Sequence, residues 1–321
     1  MDKRRRQMKI VIAVHHFPPR YTSGAELRAY RTAAWLRDHG HDVSVVCVET
    51  IDQDHGLTFE DDVYDDLPVR RLSFNLAAAP DPFRWAYDNP WIKEHLYGYL
   101  VERAPDLLHL ISGYLMSGST LNAAADLKVP TVLTLTDFWF LCPRITLLRS
   151  NGQLCAPPFD AATCARCLGE ERRRYRLPGQ IAPALANAFW RMRRDHVTKV
   201  EARAAFLRKT LNRVAAIISP SRFLRKVFVE TGVRTERIAF SRQGRDFPNL
   251  TPQLLTKSPA AHLRVGYSGQ IAPHKGVHIL FQAARQLPGA ALKVRAYGDT
   301  SAFPDYARQL EQIARQDARL H

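Results

Sequence analysis

Four cysteines are the first residues whose types and spacing point to chemistry. Cys142, Cys155, Cys164 and Cys167 are separated by 12, 8 and 2 residues. Four thiolates with one close pair can hold a tetrahedral Zn2+ and order a loop with little structure of its own. The spacing is not that of a zinc ribbon or finger, and a Cys142 packed in the core would leave too few ligands. Structural Zn2+ and plain packing are therefore both open readings. Cys47 stands in an apolar run and reads as a small core hydrophobe.

A second cluster is the loop HHFPPRYTSG, which leads to Gly24 and Glu26 at the start of a helical pattern. A helix start presents unpaired N–H groups and partial positive charge, which suits a phosphate. Gly24 has no Cβ, so the backbone can approach such a group closely. Taken alone it would read as an ordinary helix-start glycine; its place after the first strand favours a ligand. Glu26 either orients the loop or meets the positive end of the helix. His15 and His16 can reach a ligand from this loop, or His16 packs with Phe17, Pro18 and Pro19. Asp137 lies just past an apolar run ending at Leu135. His109 lies inside such a run and reads as a core histidine.

These residues need a scaffold, and the hydrophobic pattern supplies one. Residues 9–14 (KIVIAV) read as a buried parallel strand, residues 25–39 as a helix stopped by Gly40, and residues 41–48 as the next strand. Further strands are expected at 67–74, 107–111 and 130–135, with a helix at 116–127. Residues 136–178 read as long, Cys-containing and irregular, and 182–213 as basic and helical. A strand at 214–219, a helix at 222–231 capped by Ser221, and a short strand at 237–241 complete this part. Alternating strands and helices predict a doubly wound parallel sheet, in which ligands bind beyond the carboxyl ends of the strands.

Residues 245–262 are Pro- and Thr-rich without a clear period and read as a linker. The rhythm then restarts, with strands at 263–268 and 291–297 and helices at 276–287 and 304–317. The expected organisation is α/β, with two Rossmann-like domains: residues 1–244, and a second starting at 263–321. Two strands do not make a Rossmann sheet, which needs about five or six. The second domain is therefore expected to be incomplete.

Composition bounds the rest. The 321 residues are 46% hydrophobic and 24% charged, enough for a real core. Lys and Arg total 46 against 31 Asp and Glu, a formal charge of +15. Such an excess suits a nucleotide diphosphate, an anionic lipid or a nucleic acid, or is a solvated arginine-rich face. No helix-turn-helix, finger or stacking motif accompanies the charge, which makes nucleic acid the weaker partner. The stretch 191–213 alternates charge with Met192, Val197, Val200 and Phe206, as helices lying on anionic membranes do. The apolar run near the start is too short for a signal or a membrane span. A reducing, cytoplasmic setting without structural disulfides is expected.

Four segments together resemble the retaining glycosyltransferases of family 4, which have the GT-B fold. They are His16–Pro19 with Ser23-Gly24-Ala25-Glu26; TLTDFWFLCPR at 134–144; ISPSRFLRKVFVETG at 218–232 followed by Gln243-Gly244; and VGYSGQIAPHKG at 265–276. The resemblance runs from Met8 to His321. It implies transfer of a sugar from a UDP- or GDP-sugar to a glycan or lipid-linked acceptor, in polysaccharide or glycoconjugate biosynthesis. It implies that Lys275, before Gly276, stabilises the departing diphosphate, with Gly269 and Gly244 also at the substrate and no metal needed for catalysis. Asp137 would take the catalytic position, and Phe138, Trp139 or Phe140 would stack on a sugar ring, two of the three being core.

Two residues depart from the family pattern. Gln270 stands where an Arg is usual, and Thr136 where a His usually precedes the Asp. The family's Glu-x7-Glu, which contacts donor sugar and ribose, is not found up to His321. The second expectation is therefore a catalytically impaired homologue that binds a partner.

Overall fold

A computed structural model describes residues 6–244 and 260–321, the side chains of 53–55 excepted. Its contacts divide the chain into two compact units, Met1–Gly244 and Arg245–His321. Most of the proposed linker, residues 245–259, lies outside the described residues.

In the first unit β-branched and leucine-rich runs become the inner strands of a sheet, with an exposed acidic strand at one edge. The strands are β1 (Lys9–Val14), β2 (Asp42–Thr50), β3 (Asp52–Tyr64), β4 (Leu67–Asn75), β5 (Leu107–Ile111), β6 (Thr131–Thr134), β7 (Ala216–Ser219) and β8 (Ile238–Phe240). Their order in the sheet is β3-β4-β2-β1-β5-β6-β7-β8. Every pairing is parallel except β3 with β4. Val14 pairs with Cys47 on one side and Ile111 on the other, and Ile111 with Thr134. The carboxyl ends of β1, β5 and β6 are thus in line. The strand order reverses between β1 and β5, the crevice where open α/β sheets bind ligands.

Helices cover both faces. On one face α1 (Gly24–Asp38) lays Ala29 and Ala33 against Ile12, Val45 and Cys47. On the other, α3 (Pro90–Arg103), α4 (Ser119–Asp126), α8 (Arg194–Leu211) and α9 (Arg222–Glu230) pack against Leu110 and Leu133. The short α2 (Pro82–Trp85) precedes α3. The Ser221 hydroxyl caps α9 by accepting the Leu224 N–H at 3.0 Å. Three small helices, α5 (Ala161–Gly169), α6 (Arg173–Ile181) and α7 (Pro183–Met192), gather around Ala165, Trp190 and Val200.

Three expectations need correction. The segment 136–178 is not irregular throughout, because it contains α5 and most of α6. The helical stretch 182–213 is two helices, broken at Arg193 with φ −77° and ψ 67°. Within α8, Val200, Arg203, Leu207 and Leu211 turn inward and are buried, so the α8 part of 191–213 keeps these residues in the core, while Met192, in α7, is exposed. Among the described residues no helix is long and apolar enough to cross one.

The second unit holds a parallel pair, β9 (Leu263–Ser268) and β10 (Leu292–Tyr297). Helices α10 (Val277–Arg285) and α11 (Pro304–Ala314) pack on it around Phe281, Val294 and Leu310. Gly298 permits this crossing: an added Cβ would stand 1.8 Å from the Gly269 carbonyl oxygen.

Candidate active site

In the first unit the loop after β1 meets the start of α1 and the loop after β5, and the loop after β5 meets the one after β6. Glu26, in the first turn of α1, is only 3% exposed. Its Oε1 lies 3.2 Å from His15 Nε2. Burial pushes the Glu26 carboxyl up, but the His15 bond and Glu26's own backbone N–H outweigh it and hold the group below the ordinary glutamate value. With Nε2–H donating to Glu26, His15 Nδ1 is an acceptor. His15 Nδ1, Glu26 Oε2 and Arg28 Nη1 are all buried without a partner among the described residues. Unpaired buried polar atoms are costly and rare, and three of them around one helix start mark a place for a polar ligand. Gly24 agrees with that. It is exposed, and an added Cβ would meet nothing within 4 Å. Ser23 precedes it without a side-chain cap on the helix.

His16 plays a different part. Its Nδ1 bonds the Val48 carbonyl at 2.7 Å, and its ring stacks on Tyr21 at 3.9 Å. Burial holds its pKa below the ordinary histidine value despite that bond. Of the two readings of His16, loop packing is the one these contacts describe. His15 meets Tyr114, on the loop after β5, edge-on at 5.5 Å.

Asp137 lies beyond β6 and ties two loops together. Its Oδ2 accepts from Ser112 Oγ at 3.1 Å and from Thr136 Oγ1 at 2.9 Å, and its Oδ1 from the Trp139 N–H at 2.8 Å. Two carboxylate oxygens offer about four acceptor positions, so room remains for one substrate hydroxyl. The Ser112 loop is conformationally costly: Ser112, Leu115 and Ser117 have φ of 67°, 56° and 54°. Gly113 is required there, because an added Cβ would stand 2.3 Å from the Trp139 indole. Trp139 and Phe140 are buried, while Phe138 is half-buried against Phe223. Two of the three aromatics are core, as expected.

His109 is also core. Its Nε2 meets Thr134 Oγ1 at 2.8 Å, and burial, aided by the nearby Arg28, pushes its pKa down to about 4. Arg28 itself is missing from the residues the sequence singles out. Its only signal is its place in the first turns of the helix that starts at Gly24. A cavity of about 740 Å3 lined by Phe140, Cys164, Arg203 and Val233 includes neither Glu26, His15 nor Asp137.

The cysteines converge without forming a metal cage. Burial, reinforced by the other three thiols, pushes Cys164 up to about 12. Burial also raises Cys142, against N–H bonds from Leu147 and Arg144. Cys167 Sγ receives Arg144 at 3.4 Å. Among the described residues no group of three or more His, Cys, Asp or Glu is placed to hold a metal ion. The Zn2+ expectation is corrected accordingly. The same segment holds α5 and the contact of Arg144 with Cys167. Cys47 is fully buried, as a core hydrophobe should be.

The second unit carries the remaining residues. Lys275 ends a 3-10 turn, Pro273–Lys275, and is exposed. Gly276 follows at φ 73°, in the left-handed region that favours glycine, and opens α10 without a side-chain cap. A cation and a helix start therefore stand side by side. Gln270 is exposed, its carbonyl accepting the Tyr267 hydroxyl at 2.9 Å. Gly269 precedes it and bonds the Tyr297 carbonyl at 3.0 Å. Gly244, at the end of the first unit, is exposed with open space around it.

Residues 23–243 match a Glycosyl transferase 4-like domain. No curated protein matches the chain significantly. Among solved structures, the chain is similar to HepE of Anabaena in complex with UDP, at TM-score 0.56 and 18% identity over 98% of this chain and 68% of that one. It is similar to sucrose-phosphate synthase of Thermosynechococcus elongatus, at TM-score 0.55 and 16% identity over 98% and 70%. A glycosyltransferase of Rickettsia africae matches at TM-score 0.54 and 12% identity over 98% and 67%. At such identities the likeness establishes a shared fold, which is GT-B.

Proposed function

The chain belongs to the glycosyl transferase 4-like family, and from that membership we propose that it moves a sugar from a UDP- or GDP-sugar to a glycan or lipid-linked acceptor, with retention of configuration. The observation that carries this reading is the set of unpartnered polar atoms at the start of α1: His15 Nδ1, Glu26 Oε2 and Arg28 Nη1. They stand beside the strand-order reversal, where such a sheet binds polar ligands. His15 Nδ1 accepts a hydrogen bond from a substrate hydroxyl. Glu26 keeps the imidazole in the tautomer that makes this possible. Asp137 places a carboxylate at the end of β6 and fixes the β5 loop through Ser112.

In the second unit, Lys275 and the open start of α10 would meet the diphosphate. Charge grows on the leaving phosphate as the glycosidic bond breaks. A fixed ammonium and a helix N-terminus stabilise it there. Gln270 adds a hydrogen bond without charge, and Gly269, Gly276 and Gly244 keep the backbone accessible. No metal is needed in this scheme.

The second reading, a partner-binding homologue with impaired catalysis, rests on one observation. Thr136 donates to Asp137 at 2.9 Å and offers no titrating group where the family has a histidine. The deciding experiment incubates the protein with UDP- and GDP-sugars and candidate acceptors, and follows product by NMR. A product with the donor's anomeric configuration supports retaining transfer. An inverted product removes the retaining assignment. Nucleotide-sugar binding with no product under any condition favours the impaired homologue.

A further inference from the structure

The helices α6 and α7 expose an apolar stripe that the fold does not use. Leu177, Ile181, Leu185, Phe189 and Met192 are 47%, 84%, 74%, 38% and 73% exposed. Leu177 and Ile181 stand four apart on α6, and Leu185, Phe189 and Met192 four and three apart on α7, as neighbours on a helix face do, with the break between the helices at Ala182. The inward face of the same helices is occupied: Trp190 is buried against Ala165 and Val200, with Tyr175 packed beside them.

The stripe lies in a strongly cationic setting. Between Glu171 and Asp195 there are seven arginines and no acidic residue. Arg172, Arg173, Arg174 and Arg176 are exposed around the start of α6, Arg191 at the end of α7 and Arg194 at the start of α8. Of the neighbouring acids, Glu170 and Glu171 pair with arginines outside this run, while Asp195 neutralises Arg193 and Asp160 lies near Arg191. Glu171 pairs with Arg144 at 3.2 Å, Asp195 with Arg193 at 3.4 Å, and Glu170 with Arg166 at 2.6 Å. The pair of helices is also held firmly. Arg166 donates to the carbonyls of Gly179 and Pro183 at 2.9 and 3.0 Å and to Asn187 Oδ1 at 2.7 Å.

We infer that the outer face of α6 and α7 seats on an anionic lipid bilayer. Large apolar side chains standing out by themselves are ordinary, but exposed apolar rows on two successive helices flanked by arginines are the pattern of helices lying in a membrane interface. The apolar side chains enter the acyl boundary, while the arginines reach back to lipid phosphates along their own apolar stems. Charge complementarity selects this occupant, because α6 and α7 themselves carry arginines and no carboxylate. The face shares only Met192 with the one expected over 191–213, since Val200, Leu207 and Leu211 of that stretch are buried. It is independent of which sugar the protein transfers.

The test is cosedimentation of the protein with vesicles of phosphatidylcholine, with and without phosphatidylglycerol. Binding is expected to the mixed vesicles and to fall steeply with added salt. The variant Ile181→Ser/Leu185→Ser/Met192→Ser should lose at least about ten-fold in partitioning while keeping its circular dichroism, since these side chains lie outside the core. Arg172→Gln/Arg173→Gln/Arg176→Gln should weaken binding and flatten its salt dependence. Three results would overturn the inference. One is a parent protein that ignores mixed vesicles. Another is a triple-Ser variant that binds as well as the parent. The last is light scattering showing a dimer that the triple-Ser variant converts to monomer, which would make a second copy the occupant.

Discussion

The two units equip their ligand-facing loops in opposite ways. In the first, side chains are tied to one another before any ligand arrives: Asp137 takes three hydrogen bonds, His16 is bonded and stacked, and Glu26 holds His15. In the second, Lys275 and Gln270 are exposed and the backbone does the shaping, through Gly276 at φ 73°. Side-chain networks fix geometry in advance, which suits a group that must align reacting atoms. An exposed cation beside a helix start suits the capture of a diphosphate. Substitutions in the first unit should therefore disturb stability and alignment, and those in the second should disturb affinity.

The largest expected effect is on acid stability in the first unit. His109 is buried and neutral, with its pKa near 4 against an ordinary value of 6.5. As pH falls past 6.5 the unfolded chain takes the proton and the folded one does not until about pH 4. Stability is therefore full above pH 6.5 and is lost downward through that window. At about 1.4 kcal/mol per unit, the loss reaches up to about 3 kcal/mol. Urea midpoints at pH 7 and 4.5 should show it, and His109→Gln should show less of it. An equal acid loss in both proteins would break this part of the comparison.

Next comes Asp137→Ala, which strands the hydroxyls of Ser112 and Thr136 and the Trp139 N–H. Transfer should fall on the order of 100-fold, about 2.7 kcal/mol, with nucleotide affinity unchanged. A loss confined to nucleotide affinity would place Asp137 in the wrong role. Gly113→Ala forces a methyl group into the Trp139 ring and should cost about 1–3 kcal/mol in thermal or urea unfolding. The smallest effect belongs to the second unit. Gly276→Ala meets only an ordinary contact with Ile279, at 3.5 Å, so its cost is the left-handed backbone alone, about 1 kcal/mol. Calorimetry of the two variants would rank them, and a larger penalty at Gly276 would reverse the comparison.

Much of this scaffold is legible in the sequence, for a physical reason. Strands buried on both faces are continuous apolar runs, so β1, β5 and β9 stand out with their helices between them. The edge strand β3 does not stand out. It is acidic and exposed, and holds its place through pairs such as Asp61–Arg70 and Asp62–Arg71, at 2.7 and 2.8 Å. Such pairs are invisible without the register of its neighbour. Helix α5 is hidden for a related reason, since its Cys and Ala pattern matters only against Trp190 and Val200. At the site, Gly24, Glu26, Asp137 and Lys275 are visible from their places at strand ends and helix starts. Ser112 is not, because its link to Asp137 spans 25 residues. Arg28 is hidden too, because an arginine on a helix ordinarily faces water.

The account rests most directly on the diphosphate being met in the second unit. The measurement is calorimetric titration of UDP and GDP into the parent protein and into Lys275→Ala, with Asp137→Ala as the control from the first unit. The account predicts that one of the nucleotides binds the parent, that Lys275→Ala weakens it by about ten-fold or more, and that Asp137→Ala leaves it unchanged. Equal binding by the parent and Lys275→Ala, or a loss seen only with Asp137→Ala, would contradict it.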